Sequence, residues 1–157
     1  MSESSKPFVC YVDGASHSTK NLSSAAWAIF APSGELVSFQ GICISRSRNN
    51  IAEYSALIEM LSNAILLGIR RIIIRMDSQL VVLQLTNIYA VRNPTIFHMF
   101  LRVRILERLF EHIQYQHISK NFNTLIDSLA CDTCKSNIFN SHHQLNRIAY
   151  NHKKLWK

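Results

Sequence analysis

The hydrophobic period of this chain changes near Asn50, and that change restricts the possible folds more than any other feature of the sequence. Before Asn50, the segment 8–13 alternates between two faces in the manner of a β-strand, and 24–31 and 35–43 are two further candidate strands. Pro32-Ser33-Gly34 is a turn signal between these two. Because strands joined by short turns pair antiparallel, we predict that the chain opens with an antiparallel meander.

Beyond Asn50 the apolar residues recur at helical spacing. The stripe is formed by Leu57, Met60, Leu61 and Ala64. Gly68 follows the last of them and is a typical helix C-terminal residue. Glu53 lies at the head of this stripe, on the face that we expect to be buried, whereas Glu59 points off the stripe and is expected to be solvated.

The remaining chain alternates between strand and helix signals. We predict a buried strand at 71–76, a short helix capped by Ser78 that runs through Leu85, a long helix from Pro94 to about Glu111, a strand at 113–118 and a final helix at 123–135. These elements predict an α/β domain with one mixed five-stranded sheet, its first three strands antiparallel, and with helices packed on it.

Composition limits the size and the partners of this domain. At 157 residues, 48% hydrophobic and 10% aromatic, the chain is long enough for one well-buried globular domain. A formal charge of +7 and a pI near 9.5 favour a polyanionic partner. A basic surface that serves only solubility is the alternative, and charge alone leaves it open.

The sequence also bears on location. The first residues lack the apolar segment of a secretory signal, and the apolar run at 64–74 is interrupted by Gly68, Arg70 and Arg71. Four cysteines without regular spacing do not indicate a secreted disulfide scaffold. We therefore expect an intracellular protein, in the nucleus or cytoplasm, with no membrane association.

Four acidic residues stand beside apolar runs although the chain holds only ten Asp and Glu against seventeen Lys and Arg. They are Asp13, Glu53, Asp77 and Asp127. An ionised carboxylate in such a place costs free energy unless positive charge compensates it. A pair of hard divalent cations would provide that charge, and two metals that clamp a phosphodiester are a common nuclease arrangement.

The frames around these acids resemble those of ribonuclease H domains, specifically the plant and archaeal reverse-transcriptase-like branch. The matching segments are 11–16 (Tyr-Val-Asp-Gly-Ala-Ser), 49–57 (beginning Asn-Asn-Ile-Ala-Glu-Tyr), 77–85 (beginning Asp-Ser-Gln-Leu-Val-Val), 120–123 (Lys-Asn-Phe-Asn) and 127–130 (Asp-Ser-Leu-Ala). Each frame alone is weak, but four acid frames in this order are a specific signal over nearly all of 8–130.

The resemblance implies a function and a cofactor. It implies that Asp13, Glu53, Asp77 and Asp127 hold two Mg²⁺ or Mn²⁺ ions and that the protein cuts the RNA strand of RNA–DNA hybrids. His117 resembles a histidine of this branch that would shuttle a proton at neutral pH. The alternative, a histidine that merely closes the fifth strand, is equally open at this point.

The resemblance further implies a set of substrate-binding residues. Asn49, Asn50 and Gln79 are short amides suited to the minor groove, where 2′-hydroxyl groups distinguish RNA from DNA. The other members of the set are Gly14 and Ser16 through their main-chain amides, together with Arg48, Ser78, Lys120 and Asn123. For Asn50 the alternative is a helix N-cap, which is a common role for an amide at such a position.

The sequence departs from the family in ways that affect substrate affinity. The segment 87–92 is too short to contain the basic helix that bacterial and animal cellular enzymes carry. Affinity for hybrid is then expected from an attached domain, such as a reverse transcriptase or another nucleic-acid-binding domain, from neighbouring lysines, or from Arg46, Arg48, Arg92, Arg102 and Arg104. Drift from the family pattern also leaves open a catalytically weak or inactive nucleic-acid-binding or tethering module of a retroelement-derived protein.

The ends of the chain complete the expected organisation. We predict a disordered N-terminus at 1–6, a ribonuclease H-like domain at 7–136 and a basic tail at 137–157, for which a helix is one option. The tail has three open interpretations: an amphipathic helix docked on the domain, a nucleic-acid-binding arm, or a junction to a larger polyprotein. Cys131 and Cys134 have zinc-like spacing, but we interpret them as small buried hydrophobes on the last helix.

Overall fold

A computed structural model describes residues 6–17, 22–45 and 49–119. In these ranges the chain forms one sheet and three helices. The strands are β1 (Phe8–His17), β2 (Leu22–Phe30), β3 (Leu36–Ser45), β4 (Arg71–Met76) and β5 (His112–His117). The helices are α1 (Asn49–Leu66), α2 (Gln79–Leu85) and α3 (Pro94–Glu107).

The sheet is mixed, as the sequence predicts. Its strand order is β3-β2-β1-β4-β5. The strands β1, β2 and β3 form an antiparallel meander, whereas β4 pairs parallel with β1 on one side and with β5 on the other. The helix α1 carries the chain from β3 at one edge of the sheet to β4, on the far side of β1. Because parallel neighbours require a crossover, α2 and α3 connect β4 to β5.

Alternation along β1 divides its side chains between two apolar clusters. Cys10 and Val12 belong to the main core, which includes Trp27 of β2 and the buried residues of α1. Val9 and Tyr11 belong to a second cluster with Phe30 on the opposite face. Alternate residues of β1 therefore point to opposite faces of the sheet, and both faces of this strand are buried.

The apolar stripe of α1 is the centre of the main core. Leu57, Met60, Leu61 and Ala64 are fully buried, as predicted, and Glu59 on the opposite side is exposed. Gly68 follows the helix with φ of +76°, a left-handed conformation that glycine adopts without the penalty of a Cβ atom. The stripe thus fixes which side of α1 faces the sheet, and with it the orientation of Glu53.

The helix α3 ends at Glu107, earlier than the predicted end near Glu111. After it, the amides of Arg108, Leu109 and Phe110 each donate to the carbonyl three residues earlier, which tightens the last turn. The amide of Glu111 then donates to the Arg70 carbonyl at 2.8 Å and directs the chain into β5. The start is as predicted, because Asn93 caps the amides of Thr95 and Ile96.

Several predictions fall partly or wholly outside the described ranges. They concern the N-terminus at 1–5, the final helix at 123–135 and the tail at 137–157. Residues 86–93 are described, and this stretch contains no helix, which agrees with the absence of a basic helical element before α3. None of the helices described is both long enough and apolar enough to span a bilayer.

Candidate metal centre

Three of the four predicted acids meet at one point of the fold. One carboxylate oxygen from each of Asp13, Glu53 and Asp77 lies within 4.8 Å of the others. Asp13 and Glu53 are 3% and 6% exposed, and Asp77 is half-buried. Asp127, the predicted fourth member, lies outside the described residues. Residues that are far apart in sequence therefore form a compact, largely buried acidic cluster.

The sheet register places the two aspartates side by side. Val12 of β1 and Met76 of β4 are the last paired residues of the two parallel strands, so Asp13 and Asp77 are the next residue on each. The sequence pattern predicts that Asp13 ends its strand, and this is wrong, because β1 continues to His17 along β2 and Asp13 pairs with Ala26. Asp13 instead marks the point where β4 stops beside β1, which opens a notch in the sheet.

The other two elements complete the notch from the helical side. The helix α1 packs on β1 and presents Glu53 from its second turn. Beyond Asp77, the Ser78 hydroxyl accepts the amide hydrogen of Val81 at 3.4 Å and caps α2. This local bond ends β4 and starts a helix within two residues, which holds Asp77 at the junction.

The chemistry of this donor set suits a hard divalent cation. Mg²⁺ and Mn²⁺ prefer oxygen ligands, and the cluster offers only carboxylate oxygens. Three carboxylates so close together repel one another when ionised, and burial of two of them strengthens this repulsion. A bound cation would remove that cost, so Asp13, Glu53 and Asp77 fit a metal site by both ligand type and charge.

The family assignment follows from comparison with known proteins. Residues 11–133 match the reverse transcriptase-like family, which has the ribonuclease H fold. The chain belongs to this family. It is 35% identical over 120 residues to the ribonuclease HI of Halobacterium salinarum, an alignment that covers 76% of this chain and 60% of the archaeal protein. The chain thus spans somewhat less than two thirds of that relative.

Solved structures agree with the assignment. The crystal structure of RNase H1 from Halobacterium salinarum superposes with a TM-score of 0.78 at 32% identity and covers 83% of this chain and 98% of that one. An RNase H1 isolated from compost, solved in complex with an RNA/DNA hybrid, gives a TM-score of 0.75 at 26% identity, with 82% and 99% coverage. The predicted five-stranded ribonuclease H fold is confirmed.

His117 of this ribonuclease H domain lies next to the acidic cluster. It pairs with Met76 across the parallel β4–β5 ladder, and its Nε2 atom is 3.2 Å from the main-chain oxygen of Asp77. The imidazole is exposed to solvent. The sequence alone does not reveal this contact, because it depends on the register between strands that are separated by two helices.

The predicted substrate-binding residues that the structure describes lie on the elements that carry or follow the three acids. Asn49 and Asn50 occupy the first turn of α1, so Asn50 lies within the helix rather than at its N-cap. Gln79 is the exposed first residue of α2, and Gly14 and Ser16 lie on β1, where they pair with Ala25 and Ser23. Ser78 caps α2, and the remaining members, Arg48, Lys120 and Asn123, fall outside the described residues.

Arg104 is one predicted source of hybrid affinity that the ribonuclease H domain uses differently. Its Nη1 atom donates to both Glu107 carboxylate oxygens, at 2.7 and 2.8 Å. Its Nη2 atom donates to the Leu85 carbonyl at 2.7 Å and to Asn87 Oδ1 at 2.9 Å. These bonds hold the half-buried guanidinium against Glu107, Leu85 and Asn87, so Arg104 has a structural role and is less available to phosphate than an unbound arginine. Arg92 and Arg102 remain exposed.

A polar network beside the cluster was missed from the sequence. The Tyr54 hydroxyl donates to Gln84 Oε1 at 2.8 Å, and the Tyr115 hydroxyl donates to Glu107 Oε2 at 2.7 Å. Burial raises the pKa of both tyrosines above the ordinary value, and the Glu107 carboxylate raises that of Tyr115 further. The one sequence signal was Tyr54 itself, a polar aromatic residue directly after Glu53 on a buried helix face.

Proposed function

We propose that this protein is a divalent-cation-dependent endonuclease that cleaves the RNA strand of RNA–DNA hybrids and leaves 5′-phosphate ends. The observation that carries the proposal is the convergence of Asp13, Glu53 and Asp77 within 4.8 Å at the notch between β1 and β4. The relatives support it: the archaeal protein is named a ribonuclease HI, and the compost enzyme was solved with an RNA/DNA hybrid.

In this proposal the carboxylates hold two Mg²⁺ or Mn²⁺ ions, with Asp127 as the fourth ligand. When bound, such ions lower the pKa of an attacking water and stabilise charge on the departing 3′ oxygen. The half-buried Asp77 borders solvent, whereas Asp13 and Glu53 form the closed side of the notch. The scissile phosphate therefore approaches from the side of Asp77.

His117 is proposed to shuttle a proton between the site and solvent. Its imidazole is exposed, and its contact with the Asp77 main-chain oxygen holds the ring beside the acidic cluster. Imidazole exchanges protons at neutral pH, which suits a group that returns a proton to the leaving oxygen or removes one from the product. If His117 served only to end the fifth strand, its contact with the Asp77 main-chain oxygen would be sufficient, and the solvent exposure of the ring would have no function.

Recognition of the RNA strand is proposed for groups near the acids. Asn50 lies three residues before Glu53 and Gln79 lies two residues after Asp77, so both amides start helices beside the notch. Amides at these points suit 2′-hydroxyl contacts across a minor groove. The other proposed contacts are Asn49, Ser78, Arg48, Lys120, Asn123 and the main-chain amides of Gly14 and Ser16.

The alternative is a noncatalytic nucleic-acid-binding or tethering module. Such a module has no need of three clustered carboxylates, whose repulsion costs free energy, so the geometry favours the nuclease. We further propose that the nuclease acts in the nucleus or cytoplasm, and that an attached reverse transcriptase or nucleic-acid-binding domain supplies part of the hybrid affinity.

The test is cleavage of a labelled RNA–DNA hybrid with Mg²⁺ or Mn²⁺. We expect Asp77→Asn to abolish cleavage, and we expect Glu59→Gln, which changes an exposed acid of α1, to leave it intact. Double-stranded RNA, duplex DNA and branched DNA serve as comparison substrates. Cleavage that persists in Asp77→Asn would rule out the proposed site, and preference for branched DNA would indicate a resolvase-like enzyme.

A further inference from the structure

A buried hydrogen bond joins the two helices that border the acidic cluster. The Tyr54 hydroxyl on α1 donates to Gln84 Oε1 on α2 at 2.8 Å. Tyr54 is fully buried and Gln84 is 7% exposed, so the bond is shielded from water. Tyr54 directly follows Glu53, and α2 begins two residues after Asp77. The bond therefore links the helix that carries Glu53 to the helix that begins shortly after Asp77.

The helix α2 depends on such a link for its orientation. It has only seven residues, and so short a helix gains its stability from packing and caps rather than from its own hydrogen bonds. Ser78 fixes its first turn. At the other end, Arg104 of α3 donates to the Leu85 carbonyl at 2.7 Å, directly after Gln84. The Tyr54 bond adds the connection from α2 to α1.

The same network reaches β5 without approaching the acids more closely. Arg104 binds the Glu107 carboxylate, which also accepts the Tyr115 hydroxyl at 2.7 Å. This second tyrosine bond joins β5 to α3, neither of which carries a carboxylate of the cluster. Tyr54 and Tyr115 thus each donate a hydroxyl hydrogen bond, the first buried and the second half-buried, and of this pair the Tyr54 bond connects the helices beside the acidic cluster.

We propose that Tyr54 and Gln84 are positioning residues that set the separation between Glu53 and Asp77 and thereby the affinity of the cluster for divalent cations. Neither residue contacts the substrate in this inference. It rests on the proposed function only for its activity measurement, because cation binding can be measured without cleavage. If the bond serves only stability, its loss will lower the unfolding temperature and leave the cation affinity unchanged.

The experiment compares Tyr54→Phe with Tyr115→Phe in the full chain. Each substitution removes one hydroxyl from the network and leaves the ring. Calorimetric titration with Mn²⁺ should show about three- to tenfold weaker binding for Tyr54→Phe, the effect of about one buried hydrogen bond, and wild-type binding for Tyr115→Phe. The Mg²⁺ concentration for half-maximal cleavage should rise equally, with KM for hybrid unchanged at saturating Mg²⁺.

A second variant keeps the test decisive if Tyr54→Phe folds poorly. Tyr54→Phe with Gln84→Met removes the buried amide that would lose its donor, so the unfolding temperature should recover while Mn²⁺ binding stays weak. Wild-type Mn²⁺ affinity in both Tyr54 variants would overturn the inference, as would a wild-type chain that binds no Mn²⁺. A wild-type chain that binds Mn²⁺ but cleaves no hybrid would overturn the proposed function, and the calorimetric comparison would still decide the role of Tyr54.

Discussion

Carboxylates in this domain lie in two different settings. Glu107 pairs with Arg104 at 2.7 Å and accepts a hydrogen bond from the Tyr115 hydroxyl, so a cation and a hydrogen-bond donor compensate its negative charge. Asp13, Glu53 and Asp77 instead approach one another within 4.8 Å. The same residue type therefore stabilises the fold in one place and concentrates negative charge in the other. The difference separates an acid held by a cationic side chain from the three acids that we propose as cation ligands.

The largest expected difference between the two groups is in catalysis. We expect Glu53→Gln to lower the cleavage rate by at least about 100-fold, because a lost ligand removes several kcal/mol of transition-state stabilisation. Glu107→Gln should change the rate by less than about threefold, since Glu107 contacts no part of the notch. Single-turnover cleavage of a labelled hybrid measures both. Equal losses of cleavage rate in the two variants would show that Glu53 and Glu107 do not differ in their contribution to catalysis.

The next effect is on stability, and it has the opposite pattern. Arg104→Met should lower the free energy of unfolding by about 2–3 kcal/mol, because it leaves the Glu107 carboxylate, 13% exposed, without its cation. Arg102→Met, on the exposed side of the same helix, should lower it by less than about 0.5 kcal/mol. Urea denaturation gives both values. A loss of less than about 0.5 kcal/mol for Arg104→Met would mean that the hydrogen bond from the Tyr115 hydroxyl is enough to satisfy the Glu107 carboxylate.

A smaller effect is predicted for the acidic cluster without metal. In EDTA, Glu53→Gln should raise the free energy of unfolding by about 1 kcal/mol, because it relieves repulsion among buried carboxylates. Adding Mg²⁺ at tenfold excess over Kd should stabilise the wild type by about 1.4 kcal/mol, but not the variant. Thermal unfolding with and without Mg²⁺ measures this. A variant less stable than the wild type in EDTA would contradict the repulsion argument.

The smallest effect concerns alkaline pH. Burial raises the pKa of Tyr54 and Tyr115 above the ordinary value of 10.0. Below pH 10 both states keep these tyrosines neutral; above it the unfolded chain ionises first, so stability falls as the pH rises. Each tyrosine should contribute a loss of roughly 0.8 kcal/mol by pH 10.5. Tyr115→Phe should therefore show a shallower fall than the wild type in urea melts between pH 9 and 10.5.

The sequence predicted best the features that depend on local chemistry. The bounds of β4 follow from its isoleucine-rich run, and the Ser78 cap and the Asn93–Pro94 start of α3 follow from capping signals within a few residues. Distinctive frames singled out Asp13, Glu53 and Asp77, which lie close together in the structure, whereas Asp127 lies outside the described residues. Features that depend on a distant partner were missed: β1 continues past Asp13 because β2 lies alongside it, and Arg104 turns inward because Glu107, Leu85 and Asn87 surround it.

The parallel pairing of β1 with β4 has a consequence for synthesis of the protein. The antiparallel meander can form before β4 emerges from the ribosome, but β4 reaches its place beside β1 only after 71–76 have left the exit tunnel. At ordinary translation rates, Asp77 follows Asp13 by roughly 3–13 s. A nascent chain that stalls in this interval lacks at least one of the three clustered carboxylates and has no complete notch. Under the proposed function, such an incomplete product would lack the site that cleaves hybrids.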